Sequence, residues 1–407
     1  MAMNLELHPN FKRYADRCSY IVGSDIGRIR EEVKQKKAAG EDVIDFSSGD
    51  IEEFLTHKLV RKAISDSVND INNGYQPIAG RQDLREQMSE FLQETEGLKI
   101  SPKYIHFTNG AIQALDLICF TTVNPGSEVI FPDPYWGPAV DHVRAHGGIP
   151  VFVPLDRNFQ LDLEKIEKAI TERTIAIYLN TPGNNPAGSV YKKEALEQLA
   201  DICINDGIIQ IYDEAYRDLV YEPVEIFNPA TYDEILQTSF IVRSFSKSHS
   251  TTGLRAGYFF TKNETWLKPL RERLLLESSG LSWLTQSILS KILPSREIVE
   301  DNFKMYKEKR DIGIELLPRI NGFELVNPTA GFYFFPKYNN IPESLQGNER
   351  GDYIYNRLFN LNPRIVGIPG YSFGNNSTDY IRFAFSVCKK NDLWKAIEVM
   401  GKEFGYS

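Results

Sequence analysis

Cysteine is scarce and scattered: Cys18, Cys119, Cys203 and Cys388 are the four in 407 residues, and no two form a CxxC pair. That pattern excludes a disulfide framework, gives no metal-ligand set, and reads as reduced thiols in a cytoplasmic protein. No uninterrupted apolar run approaches the roughly 20 residues that a membrane helix needs. The opening stretch "MAMNLELHPNFKRY" has no basic segment followed by an apolar one, so no secretory signal is expected. Lysine/arginine tracts are missing too. With 46 basic against 55 acidic side chains the formal net charge is −9, which argues against a general nucleic-acid binder. No repeat, low-complexity stretch or Gly/Ser linker divides the chain.

What recurs instead is a short β-like run, a polar or glycine-rich turn, then a helical pattern. "YIHFT" leads into "NGAIQALDLICFTTV", where Ile112, Leu115, Ile118 and Cys119 fall at helical spacing. "SEVIFPDP", "GIPVFVPL", "TIAIYLNTPGNNPAG", "GIIQIYDEAY" and "SFIVRSFSK" continue the series. Their nearly continuous apolar character is that of strands buried on both faces. Alternation with helices such as "KKEALEQLADICIND" predicts an α/β domain with a mostly parallel sheet. From about residue 295 a long charged helix precedes short strands ("GFYFFP", "YIRFAFSV") and a closing helix. This predicts a large domain over 61–294 and a smaller α+β domain from 1–60 together with 295–407.

In such sheets ligands sit beyond the carboxyl ends of the strands, and the informative polar residues fall there. "FTNGAIQAL" sets Thr108, Asn109 and Gly110 between a strand and a helix. Two readings stand: a phosphate cup at the helix N-terminus, or a simple Asn/Thr cap. "IIQIYDEAY" ends a strand in Asp213 with Tyr216 three residues on. A carboxylate there either caps a helix or meets a cationic or protonated partner. "LNTPGNNPAG" is a turn-rich loop whose Asn185 offers an amide to the same crevice. "SFSKSHSTTGLRAGY" places Lys247 just past a strand, with Ser244, Ser246 and Arg255 as donors for a phosphate dianion. By itself Lys247 is equally a solvated loop lysine. A phosphate cradle, a strand-end Asp and a lysine able to form a Schiff base together specify pyridoxal 5'-phosphate.

On these motifs, in this order, the chain resembles a fold-type I pyridoxal-phosphate enzyme of the class I/II aminotransferase family. The resemblance runs from "DFSSGD" to "YIRFAFSV". It implies a seven-stranded sheet flanked by helices, and an aminotransferase working on an amino acid and a 2-oxo acid. Lys247 becomes the Schiff-base residue and Arg255 a phosphate ligand, with Ser244 and Ser246 beside it. Gly110, Ala111 and Ile112 offer backbone N–H groups to the phosphate, and Trp136 of "DPYWGP" stacks on the pyridine ring. Asn185 and Tyr216 partner the cofactor's phenolic oxygen, and Asp213 its ring nitrogen. Arg382 of "YIRFAFS" takes the substrate α-carboxylate, with the Gly49 backbone on the opposite wall. Tyr75 of "NGYQPIAGRQDLR" reaches the phosphate of a neighbouring subunit, which implies a homodimer. The same cofactor also serves elimination, decarboxylation, cyclisation and amino-acid oxidation, and the fold does not choose among them. A non-catalytic binding protein that kept the fold is a further alternative.

The chain departs from the family pattern in places. Thr251 stands where an apolar residue is usual, and His249 is either a packed ring or a catalytic group. "GDIEEF" replaces the usual "GEPDF", and its extra acid is expected to be solvated. No second arginine suited to a dicarboxylate is evident. Asp25 in "GSDIG" lies where an acidic contact to a basic substrate is conceivable.

Overall fold

The structure is a computed structural model and describes residues 15–23, 25–51, 56–69, 72 and 74–406. Glu52, Glu53 and Phe54 of "GDIEEF" therefore lie outside the described residues. A short strand β1 (Val43–Asp45) precedes the seven strands of the large sheet. These are β2 (Ile105–Thr108), β3 (Glu128–Asp133), β4 (Ile149–Pro154), β5 (Thr174–Asn180), β6 (Ile209–Asp213), β7 (Ser239–Ser244) and β8 (Gly257–Phe260). Their order is β2-β8-β7-β6-β5-β3-β4, and β8 alone runs antiparallel to its neighbours.

Every residue of β2, β3 and β8 is buried, whereas β4 at the edge is mostly half-exposed. Continuous burial follows from helices on both faces. One face carries Leu84, Met88 and Leu92, spaced four apart on the helix Gln82–Glu96. The other carries Leu115, Ile118 and Cys119 of the helix Ala111–Thr122. Each such large apolar side chain contributes about 1.5–3 kcal/mol on burial. Ile112 does not join that core. It is 38% exposed and borders a cleft at the start of the helix.

The strands β9 (Phe323–Glu324), β10 (Tyr333–Phe334), β11 (Lys337–Tyr338), β12 (Arg364–Val366), β13 (Ile368–Pro369) and β14 (Ile381–Ala384) form the second lobe. β1 pairs in parallel with β12, so the N-terminal part of the chain is stitched into the C-terminal lobe. β14 lies between β10 and β13. Two helices flank the junction between lobes, and the longer one crosses it. Lys58–Val68 packs Val60 and Ala63 into the large core. Arg296–Leu316 places Ile298 in the large core and Tyr306 and Ile312 in the small one.

Candidate active site

β5 and β6 pair so that Asn180 lies opposite Asp213, and both strands stop there. The Asp213 carboxylate is buried and accepts from the Tyr178 hydroxyl at 2.6 Å and from the Ala215 N–H at 3.2 Å. Burial pushes its pKa up to about 6, against the pull of the Tyr178 hydrogen bond. Next in the chain, Glu214 is paired with Arg243 at 2.7 Å and Arg217 at 3.0 Å. That ion-pair cluster fixes the end of β6 while leaving Asp213 to face the cleft.

Lys247 sits on the single turn Phe245–Ser248 that follows β7. The Ser244 hydroxyl caps this turn by accepting from the Ser246 N–H at 3.1 Å. The Lys247 amine donates to the Gly49 carbonyl at 2.7 Å and lies 5.3 Å from the Phe332 ring centre. Burial lowers its pKa to about 8, with Arg382 and Arg255 adding to the shift and Asp50 and Asp213 opposing it. Residues after the lysine hold the turn from behind. Ser248 shares a hydrogen with the His249 ring at 2.9 Å, and Asn302 donates to the Ser248 carbonyl at 2.9 Å. The His249 ring packs edge-on against Phe245, and burial drives its pKa to about 4. Thr251 is buried and donates to the Phe245 carbonyl at 2.9 Å. Both departures from the family pattern therefore face the protein interior.

The strand–helix turn after β2 has no side-chain cap. Thr108 donates to the Gly110 carbonyl at 3.0 Å, and Asn109 is tied to Gln113. Gly110 itself occupies the cap position with φ of +83°. A Cβ there meets Arg255 Nη2 at 2.9 Å besides straining the backbone, so both conformation and close approach require glycine. The first N–H groups of a twelve-residue helix are thus left open beside a guanidinium.

Arg382, on β14, is buried. It donates Nη1 to Asn185 Oδ1 at 3.1 Å and Nη2 to the Ser47 carbonyl at 2.6 Å. Its Nε is buried without a partner among the described residues. Burial lowers its pKa, and it stacks 4.7 Å from the Tyr333 ring centre. Tyr333 accepts from or donates to Tyr216 at 2.8 Å and receives Asn185 Nδ2 at 3.4 Å. A Cβ on Gly49 falls 2.2 Å from the Tyr333 hydroxyl, which is why residue 49 carries no side chain.

The Lys247 amine, the Asp213 carboxylate, the Arg382 and Arg255 guanidinium groups and the open helix end border one cavity of about 570 Å³ between the lobes. Ala111, Ile112, Trp136, Asn185, Asp213, Tyr216, Ser244, Ser246, Lys247, Arg255, Arg382 and Gly49 line it together. Gly110 lies one residue behind the wall. Tyr75 does not reach the cavity and is 94% exposed in the single chain. Asp25 does not line it either; its carboxylate accepts from Ser372 at 3.0 Å and Arg28 at 3.4 Å.

Sequence reasoning missed Tyr333, Tyr178, Asn180, Arg30 and Asp50. Arg30 lines the cavity and has no ion-pair or hydrogen-bond partner among the described residues. Asp50 also lines the cavity; the Thr252 hydroxyl donates to it at 2.6 Å and the Ile51 N–H at 2.9 Å. "GFYFFP" was a visible strand, yet nothing local marks the Tyr333 hydroxyl as part of a site.

The donor set suits a phosphorylated, ring-bearing aldehyde. Lys247, Arg30, Arg255 and Arg382 stand against two carboxylates, Asp50 and Asp213, so the cavity favours anions. An uncapped helix end beside Arg255 fits a phosphate, a Trp face fits an aromatic ring, and an amine of lowered basicity fits an aldehyde. These features define a pyridoxal-phosphate site on an α/β scaffold. The family profile "Aminotransferase class I and II" matches residues 41–400, and the chain belongs to that family. A probable aspartate/prephenate aminotransferase of Aquifex aeolicus is 32% identical over 386 residues, 93% of this chain and 95% of the relative. An aspartate aminotransferase of Bacillus sp. is 29% identical, covering 94% and 97%. The solved aspartate aminotransferase of Thermus thermophilus with maleate superposes with a TM-score of 0.87 at 27% identity, covering 96% and 99%. The chain is a pyridoxal-phosphate-dependent aminotransferase that moves an amino group between an amino acid and a 2-oxo acid.

Proposed function

We propose the following division of labour within that activity. The helix end at Gly110, Ala111 and Ile112, with Ser244, Ser246 and Arg255, holds the phosphate of pyridoxal 5'-phosphate. Trp136 covers the ring, Asp213 serves the ring nitrogen, and Asn185 and Tyr216 the phenolic oxygen. When bound, the cofactor supplies an aldehyde for amines and a ring that draws electron density from a substrate Cα.

Everything else is done by the chain. Asp213, buried and paired with Tyr178, offers a carboxylate where a positive ring nitrogen lowers the cost of its burial. Arg382 is held in orientation by Asn185 and Ser47, and its partnerless Nε leaves a donor for the substrate α-carboxylate. The Lys247 amine, with a pKa near 8, is partly neutral at physiological pH and accepts and returns the proton at the substrate Cα. The observation that carries this reading is one cavity shared by the Lys247 amine, the Asp213 carboxylate and the Arg382 guanidinium. Mixing the holoenzyme with a panel of amino acids, with and without a 2-oxo acid, tests it. The expected result is an absorbance change that the oxo acid reverses. Ammonia release without any oxo acid points instead to a lyase or, with oxygen consumed, an oxidase.

Arg30 supports a substrate whose side chain carries an anionic group, and the names of the relatives agree with it. Arg30→Gln is expected to raise KM for aspartate or glutamate about tenfold and to leave alanine nearly unchanged, consistent with a charged hydrogen bond worth roughly 1.5–3 kcal/mol. Equal or better activity of the unaltered enzyme with arginine or lysine overturns this preference.

The working form is a homodimer in which Tyr75 meets the phosphate of the neighbouring subunit; its 94% exposure in the single chain supports this. Sedimentation at assay concentration is expected to give a dimer, and a fully active monomer contradicts it. We place the protein in the cytoplasm on the strength of its four free cysteines. Among the described residues no helix is long and apolar enough to cross a membrane.

A further inference from the structure

We propose that Asp50 is a positioning residue for the Lys247 amine, tying the 47–51 segment to the lysine loop through Thr252 and placing a carboxylate in the cavity that the amine borders. The proposal rests on the reading of Lys247 as the amine that captures the cofactor.

Asp50 belongs to the segment that follows β1, far from Lys247 in sequence, yet three contacts bring it to the lysine. The Thr252 hydroxyl, five residues beyond the lysine, donates to Asp50 Oδ1 at 2.6 Å. The Ser386 hydroxyl donates to the Asp50 carbonyl at 2.6 Å, anchoring the same segment to the small lobe. One residue earlier, the Gly49 carbonyl receives the Lys247 amine at 2.7 Å. The segment is therefore pinned at Asp50, just past the point where it meets the amine, and at Ser47 before that point, where Arg382 donates to the carbonyl. A shift of Asp50 moves the Gly49 carbonyl with it.

The charges around the amine give the carboxylate its effect. Arg382 and Arg255 disfavour the ammonium form, while Asp50 and Asp213 favour it. The Phe332 and Tyr216 ring centres lie 5.3 and 6.0 Å from the amine. Asp213 is already committed to Tyr178 and the Ala215 N–H. Asp50 accepts from Thr252 and lines the cavity together with Lys247 and Tyr333, and Asp213 is the other carboxylate there. Asp50 is thus the carboxylate whose removal most directly unbalances the amine, in the direction of the neutral form.

The test uses full-length apoprotein and pyridoxal 5'-phosphate, reading the rise in visible absorbance as Lys247 condenses with the aldehyde and water leaves. Condensation needs the neutral amine, so its rate climbs with pH through the amine's midpoint. Asp50→Asn keeps an acceptor for Thr252 but removes the charge. The midpoint is expected to fall by about one pH unit, the usual size of the effect of a nearby opposite charge. The plateau rate should stay within about twofold, and Asp50→Glu should return the midpoint toward that of the unaltered protein. An Asp50→Asn midpoint unchanged within about 0.2 unit overturns the proposal. Should that variant not fold, Thr252→Val reports on the tie. It keeps the charge but frees the segment, and capture is expected to slow about threefold at every pH; an unchanged rate overturns the proposal. Failure of the underlying reading looks different: Lys247→Ala would still capture the cofactor covalently, whatever Asp50 does.

Discussion

Lys247→Ala is expected to lower kcat by about 10³-fold or more, the range associated with losing a positioned acid–base group together with the nucleophile. The reason lies in what else borders the cavity. Among the described residues, Tyr216 and Tyr333 have pKa values raised by burial and hold their protons at neutral pH. Arg30, Arg255 and Arg382 are permanently protonated. Asp213 is engaged by Tyr178 and the Ala215 N–H. Among the described residues that line the cavity, Lys247 supplies the one side-chain amine, and its pKa near 8 lets it exchange a proton near neutrality. Single-turnover absorbance with the purified variant checks this. Ordinary rates would remove Lys247 from its role.

Arg382→Gln is expected to cut kcat/KM by roughly 10²–10³-fold, mostly through KM. Two effects add. A charged hydrogen bond to the substrate carboxylate is worth about 1.5–3 kcal/mol, and each 1.36 kcal/mol is tenfold. The substitution also leaves Asn185 Oδ1 and the Ser47 carbonyl without their donor, so Asn185 loses its orientation. Arg382→Lys should rescue little, since a point charge cannot reproduce a planar fork held on two sides. Steady-state kinetics with a 2-oxo acid in excess decides it: a loss confined to kcat would contradict a binding role.

The architecture was legible because its causes are local. Apolar runs such as "SEVIFPD" match strands buried on both faces, and the helical spacing of Leu115, Ile118 and Cys119 matches a helix with one buried side. Residues at strand ends were legible for the same reason, since a parallel sheet delivers the tips of β2, β6 and β7 to one cleft. The missed residues depend on distant pairings. Tyr333 meets Asn185 across 148 positions, and Asp50 meets Thr252 across 202. Tyr178 sits two residues before the end of β5, where an apolar side chain packs equally well; only the pairing of β5 with β6 makes its hydroxyl the partner of Asp213. Tyr75 is legible only by resemblance, because nothing within one chain gives its ring a partner in the site.

Borohydride reduction of the holoenzyme followed by peptide mapping tests the central assignment most directly. The account predicts one stable pyridoxyl adduct, on the peptide bearing Lys247. Prior treatment with an amino acid should abolish labelling, and a 2-oxo acid should restore it. An adduct on another lysine, or labelling that an amino acid leaves untouched, would contradict the account.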